Sequence, residues 1–144
     1  MHFSPLAQSA WLVGLGLLVV TGCGTKAPKL TPVRGKVFFK GSPLHSGTIV
    51  FTPDPDRGGR GPLARAEIQA DGSFTLRTDE ETGAVAGWHR ITVLAVEISA
   101  AAPAGQRFVE PRLLLPSRYC DPEMSGLLRE VKAGQENNFD LYLD

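Results

Sequence analysis

From residue 33 onward, apolar residues recur at every second position in segment after segment, and no stretch carries helical spacing. Successive side chains of a strand point to opposite faces, so this period implies half-buried strands. Val33 to Lys40 places Val33, Gly35, Val37 and Phe39 on one face and Arg34, Lys36, Phe38 and Lys40 on the other. Gly41-Ser42-Pro43 turns the chain. Thr48 to Thr52 is β-branched and aromatic, as strands prefer, and Pro53 ends it. Leu63 to Gln69 resumes the alternation weakly, and Ser73 to Thr78 strongly. Asp71-Gly72 between them suits a type I′ hairpin turn, which needs positive φ at both central residues. Trp88 to Glu97 is the longest strand, with Trp88, Arg90, Thr92, Leu94 and Val96 on one face and His89, Ile91, Val93, Ala95 and Glu97 on the other. Both faces carry apolar residues, which predicts a central strand. Leu127 to Lys132 and Asn137 to Leu143 form a last pair, with Ala133 to Glu136 as their hairpin turn. Seven short strands separated by turns imply an all-β fold, a seven-stranded β-sandwich.

The connections are the irregular part. Asp54 to Pro62, with three glycines and two prolines, is expected to be an exposed loop without regular structure. Asp79 to Gly83 is an acidic loop. Ser99 to Ser117 is rich in Ala and Pro, a connection of roughly twenty residues, and connections of that length are often functional. The strands occupy 32–144, close to the common size of one domain. Fifteen Lys and Arg balance fifteen Asp and Glu, which argues against a nucleic-acid partner, since that needs a basic footprint.

Upstream, Trp11 to Val20 is an almost unbroken apolar run. It has the length of a secretory h-region, about 7–15 residues, and falls short of the roughly 20 needed to span a bilayer. Met1 to Ala10 contains neither Lys nor Arg. The run ends in Val20-Thr21-Gly22-Cys23, which resembles a bacterial lipobox. The resemblance implies recognition of Val20, Thr21 and Gly22 by a signal peptidase and acylation of the Cys23 thiol. It divides the chain into a signal peptide, 1–22, a lipidated tether, 23–31, and the domain, 32–144. Gly24 to Thr31 reads as a flexible spacer. The expected location is the cell membrane or outer membrane, on the exported face. Acylation of Cys23 leaves Cys120 without an intrachain partner, since the chain has two cysteines. An unpaired cysteine in an exported protein is either buried or paired with another chain, and Cys120 is expected to be buried or inert.

Residues that could carry chemistry are sparse. His45 sits in a turn and His89 in a strand, and no His-x-His or Glu-x-x-His spacing marks a metal site. No Gly-x-Ser-x-Gly elbow is present. Asp54, Asp56, Asp71, Asp79, Glu80 and Glu81 are oxygen ligands of a kind that suits calcium, but they lack EF-hand spacing and read as solvated turns. Gly58-Gly59-Arg60-Gly61 lacks the Lys-Ser/Thr of a phosphate loop. Trp88, at the start of a strand after Gly87, is expected to pack at the edge of the core. No catalytic, metal-binding or cofactor-binding residue is assigned.

Five blocks in order, Val33-Arg-Gly-Lys-Val37, Gly41-Ser-Pro-Leu44, Gly47-Thr-Ile-Val-Phe51, Asp71-Gly-Ser-Phe74 and Gly87-Trp-His-Arg-Ile91, resemble the carboxypeptidase-regulatory-like, or transthyretin-like (prealbumin-like), β-sandwich. Leu115-Pro-Ser-Arg-Tyr119 and Ser125-Gly-Leu127 further resemble a block of small bacterial lipoproteins carrying such a domain. The resemblance implies an Ig-like sandwich that serves as a spacer or interaction module. An enzymatic branch of that fold hydrolyses 5-hydroxyisourate and ends in Tyr-Arg-Gly-Ser, whereas this chain ends in Leu141-Tyr-Leu-Asp144. The expected function is therefore that of a lipid-anchored, non-enzymatic envelope protein, a structural or protein-interaction module with an envelope protein as partner. The alternative is a ligand-binding module for envelope glycans or exported solutes. Trp88, Tyr119 and Asp121 are the candidate interaction residues, and Asp54–Pro62 and Ser99–Asp121 the candidate contact surfaces.

Overall fold

The computed structural model describes residues 27–97 and 111–144. The signal peptide, Cys23 and most of the Ala- and Pro-rich connection lie outside the described residues. In chain order the strands are β1 (Leu30–Thr31), β2 (Val33–Phe39), β3 (Ser42–Pro43), β4 (Thr48–Pro53), β5 (Ala64–Glu67), β6 (Ser73–Thr75), β7 (Arg77–Thr78), β8 (Glu81–Thr82), β9 (Ala84–Val85), β10 (Gly87–Leu94), β11 (Val96–Glu97), β12 (Arg112–Leu113), β13 (Leu128–Val131) and β14 (Asn137–Leu143). Short 3-10 turns occur at Pro55–Arg57 and Ser117–Cys120. No helix among the described residues is long and apolar enough to cross a membrane.

The strands form an all-β sandwich. One sheet runs β13-β10-β4-β5-β7-β8, and the other runs β14-β2-β3, with β6 also paired to β2. All pairings are antiparallel except β14 with β2, which run parallel from Asn137 opposite Val33 to Leu143 opposite Phe39. Phe51 of β4 closes the core from the first sheet. Its ring centroid lies 6.2 Å from that of Phe74 and 6.1 Å from that of Phe139, both on the second sheet. The expected alternation is seen directly. Val33, Gly35 and Val37 are buried while Arg34 and Lys36 are exposed, and β10 lies between β4 and β13, as an interior strand.

Four expectations are corrected, three of them by long-range pairing. Leu127–Lys132 and Asn137–Leu143 are not a hairpin, because β13 pairs with β10 in one sheet and β14 with β2 in the other. The Asn137 side chain holds the crossing together. It accepts from the Lys132 N–H at 2.9 Å and donates to the Lys132 and Gln135 carbonyls at 3.0 and 3.1 Å. The turn at Asp71-Gly72 is not type I′. Gly72 has φ +83°, Asp71 is not in the positive-φ region, and Gly72 N–H donates to Gln69 O, as in a type I turn followed by a left-handed glycine. Ser73–Thr78 changes sheets at Leu76, whose burial in the core bends the strand between β6 and β7. Trp88–Glu97 ends as part of the main sheet at Leu94, and β11 turns away to pair with β12 as a small arm.

Gly35 of β2 sits where the core leaves no room for a side chain. A Cβ on Gly35 would overlap the backbone carbonyl oxygen of Phe139, across the parallel pairing. Backbone cannot rotate aside as a side chain does, so β2 and β14 would have to separate. Gly35→Ala is expected to destabilise the fold by about 3 kcal/mol, the upper end for overpacking, read as a lower urea midpoint. A wild-type midpoint would mean that this spacing yields freely.

Candidate functional site

The most ordered polar cluster grows from Asp54, the first residue after β4. Pro55 suits the first helical position because its φ is already fixed. The Asp54 side chain caps the turn, accepting from the Asp56 N–H at 3.2 Å. Asp54 N–H donates to Trp88 O at 2.8 Å, and Asp54 O accepts from Gly59 N–H at 2.7 Å. A Cβ on Gly59 would collide with the backbone of Asp54 and Trp88. The segment expected to lack regular structure is therefore a closed turn riveted to β10. Its glycines allow the backbone to fold over Asp54, which is 2% exposed.

Arg90 completes the cluster from β10. Its Nε lies 3.0 Å from Asp54 Oδ1, its Nη1 lies 3.1 Å from Glu123 Oε1, and its Nη2 pairs with Asp56. Partial burial pulls the Arg90 pKa down. The Asp54 charge and the Asp56 hydrogen bond, with Glu123, outweigh that and raise it above the ordinary guanidinium value. The other Asp54 oxygen lies 3.6 Å from Arg57 Nε, and the Arg57 guanidinium covers the Trp88 ring at 4.8 Å. An open cleft of about 510 Å³ lies here, lined by Asp54, Asp56, Arg90, Glu123, Leu127 and Leu128. Each charged group that lines it is already paired with another. The arrangement holds a shape and presents the carboxylates of Asp56 and Glu123 to solvent. Among the described residues, no group of three or more His, Cys, Asp or Glu is gathered in metal-binding geometry.

The three candidate interaction residues are separated by role. Trp88 does not pack at the core edge. It lies half-buried on the outer face of its sheet, because the opposite register of β10 carries His89, Ile91 and Val93 inward. Tyr119 is a buried anchor. Its hydroxyl lies 2.7 Å from Asp144 Oδ1 and accepts from Asp144 N–H at 3.0 Å, while Arg118 Nη2 lies 2.7 Å from the same carboxylate. The Tyr119 hydroxyl, then the Arg118 charge, hold the Asp144 carboxyl below the usual carboxylate range. Asp121 shapes a turn, accepting from the N–H groups of Glu123 and Met124 at 2.7 and 3.3 Å. Leu115 and Tyr119 are both buried, so the Leu115–Tyr119 block is an anchoring segment. Cys120, expected to be buried, is exposed, since Tyr119 is the residue of its 3-10 turn that faces the core.

Sequence reasoning missed the Asp54–Arg90 pair, although two signals for it were present. Asp-Pro at a strand end is a capping signal, and the alternation of β10 places Arg90 on the outer face. It also missed the core position of His89. That residue has no exposed surface, and its ring lies 6.0 Å from that of Phe51. Nδ1 is 2.9 Å from Gly87 O and therefore carries the hydrogen, while Nε2 is buried without a partner. Burial pushes the His89 pKa below the ordinary imidazole value, against the opposing Gly87 hydrogen bond. Above about pH 6.5 the ring is neutral folded and unfolded, and burial costs nothing through titration. As pH falls below that, the unfolded chain binds a proton that the folded chain refuses, and stability is lost. Urea midpoints at pH 7.5 and 5 are expected to drop in the wild type and to drop less in His89→Asn, which keeps the donor to Gly87. Equal drops would assign the effect to other groups.

The Asp54 turn sits beside the start of β10, where Pro53 pairs with His89, and the β11–β12 arm continues from its far end. No protein-family model matches the chain, and no curated protein matches it. Among solved structures, the dioxygenase domain of a dioxygenase–carbohydrate-binding protein fusion from the cellulolytic bacterium Streptomyces sp. SirexAA-E is 27% identical, with 83% of this chain and 84% of that one covered and a TM-score of 0.35. A superposition of that quality carries none of the neighbour's chemistry to this chain.

Proposed function

We propose that the chain is an exported lipoprotein, acylated at Cys23, whose β-sandwich presents a rigid surface to a protein partner at the cell envelope and catalyses no reaction. The observation that carries this reading is the turn after β4, which closes on itself through the Gly59 N–H to Asp54 O bond and is locked to β10 by a buried carboxylate paired with Arg90 and by the Asp54 N–H to Trp88 O bond. A surface fixed before contact loses little conformational entropy on binding. The alternative, a module for envelope glycans or exported solutes, calls for an open aromatic face. Arg57 covers that of Trp88, and Tyr119 is buried, which favours the first reading.

The test is crosslinking in cells, capture of the lipidated protein and mass spectrometry of what is retained, with Cys23→Ser as control. A reproducible partner, absent from the control, is the expected result. If only abundant bystanders are retained, the protein-partner reading is abandoned, and the domain is screened against envelope glycans.

A further inference from the structure

The reach of the tether decides which end of the sandwich faces the membrane. Leu30 and Thr31, read from sequence as the end of a free spacer, pair as β1 with Val85 and Ala84 of β9. Thr31 is buried. Ala27, Pro28 and Leu30 line one groove with Pro62 and the Asp79–Glu81 turn. The chain is therefore held by the fold from Leu30 onward. Seven residue steps separate Cys23 from Leu30, and even fully extended they span at most about 25 Å.

We infer that the end of the sandwich bearing β1, β9, the Asp54–Gly61 turn and the Asp79–Gly83 turn is held against the lipid surface, with the β11–β12 arm directed away from it. The inference rests on acylation of Cys23, as proposed above. Strand β10 starts at the tether end, since Gly87 follows β9, and finishes at Leu94, where the arm begins. β4 runs the other way, from Thr48 opposite Leu94 to Pro53 opposite His89. Its length of about 17 Å, at 3.3–3.4 Å per residue step, separates the two ends. A partner on another surface thus meets the arm end, which exposes Leu94, Val96, Leu113 and Leu114. The Asp54 turn is left for partners lying in the plane of the membrane.

The test uses the full lipidated chain in phosphatidylethanolamine/phosphatidylglycerol vesicles that carry a short-range energy acceptor on a headgroup. Cys120→Ser removes the native exposed thiol. A donor dye is then placed at Arg60→Cys or Ser46→Cys, exposed positions at the tether end and the far end. Transfer from position 60 is expected to be at least about twofold that from position 46, given the strand length between them. A Gly/Ser insert of about 20 residues between Lys26 and Ala27, with a mean span near 25 Å, should bring the two values together. Equal or reversed transfer in the uninserted protein overturns the inference, and so does a difference that survives the insert. A protein that does not float with the vesicles at all overturns the acylation reading, and the orientation falls with it. That result is distinct from a floating protein with the wrong transfer ratio.

Discussion

Phe51→Ala is expected to lower the unfolding free energy by about 3–5 kcal/mol, the range for truncating a buried aromatic to alanine. Phe51 has no exposed surface, and it is the largest of the fully buried side chains at the contact of the two sheets. Its ring touches the layer of Phe74 and Phe139 on one side and lies beside His89 on its own side. Truncation removes transfer free energy and leaves a cavity that two hydrogen-bonded sheets cannot collapse to fill. Phe51→Leu should recover most of the loss, because it restores volume at the same place. Urea unfolding of both variants is the measurement. A loss under 1 kcal/mol in Phe51→Ala would mean that the sheets do not pack through this ring.

The second large effect is at Asp54. Asp54→Ala is expected to cost about 2–4 kcal/mol, combining a lost helix cap with lost charge-assisted hydrogen bonds. The carboxylate is almost wholly buried and serves three partners, the Asp56 N–H, Arg90 and Arg57. Asp54→Asn separates the contributions. It keeps an acceptor for the Asp56 N–H and loses the charge, so it should cost clearly less than alanine. Hydrogen exchange over residues 54–61 supplies the local readout. Both variants should exchange faster there than wild type, with alanine the faster of the two. Unchanged exchange in Asp54→Ala would show that the glycine-closed backbone holds the turn without the carboxylate, and would remove the main support for a preformed contact surface.

These expectations come from residues that sequence reading treated unevenly. The strands of the core were legible because alternation is local: Val33, Gly35 and Val37 announce an inward face without reference to any other part of the chain. The same alternation divided β10 correctly between an Arg90 face and a His89 face. It does not say which face lies inward, because both carry apolar residues: Trp88, expected at the core edge, lies on the outer face, and His89 lies in the core. Asp54-Pro55-Asp56-Arg57 holds a capping signal, but the glycines that follow it suggest an irregular loop. Those glycines act by closing the turn, and their effect depends on how near Trp88 O and the Asp54 backbone lie, which no local rule supplies.

By itself, then, the sequence determined the all-β class, the order of the principal strands and the alternation of their faces, since these follow from side-chain period and turn chemistry within a few residues. Only the tertiary structure decided strand partners. Asn137–Leu143 runs parallel to β2 and does not fold back on β13, because in the second sheet Leu141 and Leu143 are buried in the core shared with the first. It also decided that Asp54, Arg90 and Glu123 share one cluster and that the tether enters beside β9. Those are contacts between residues tens of positions apart, and they are selected by the burial and register of the whole sandwich.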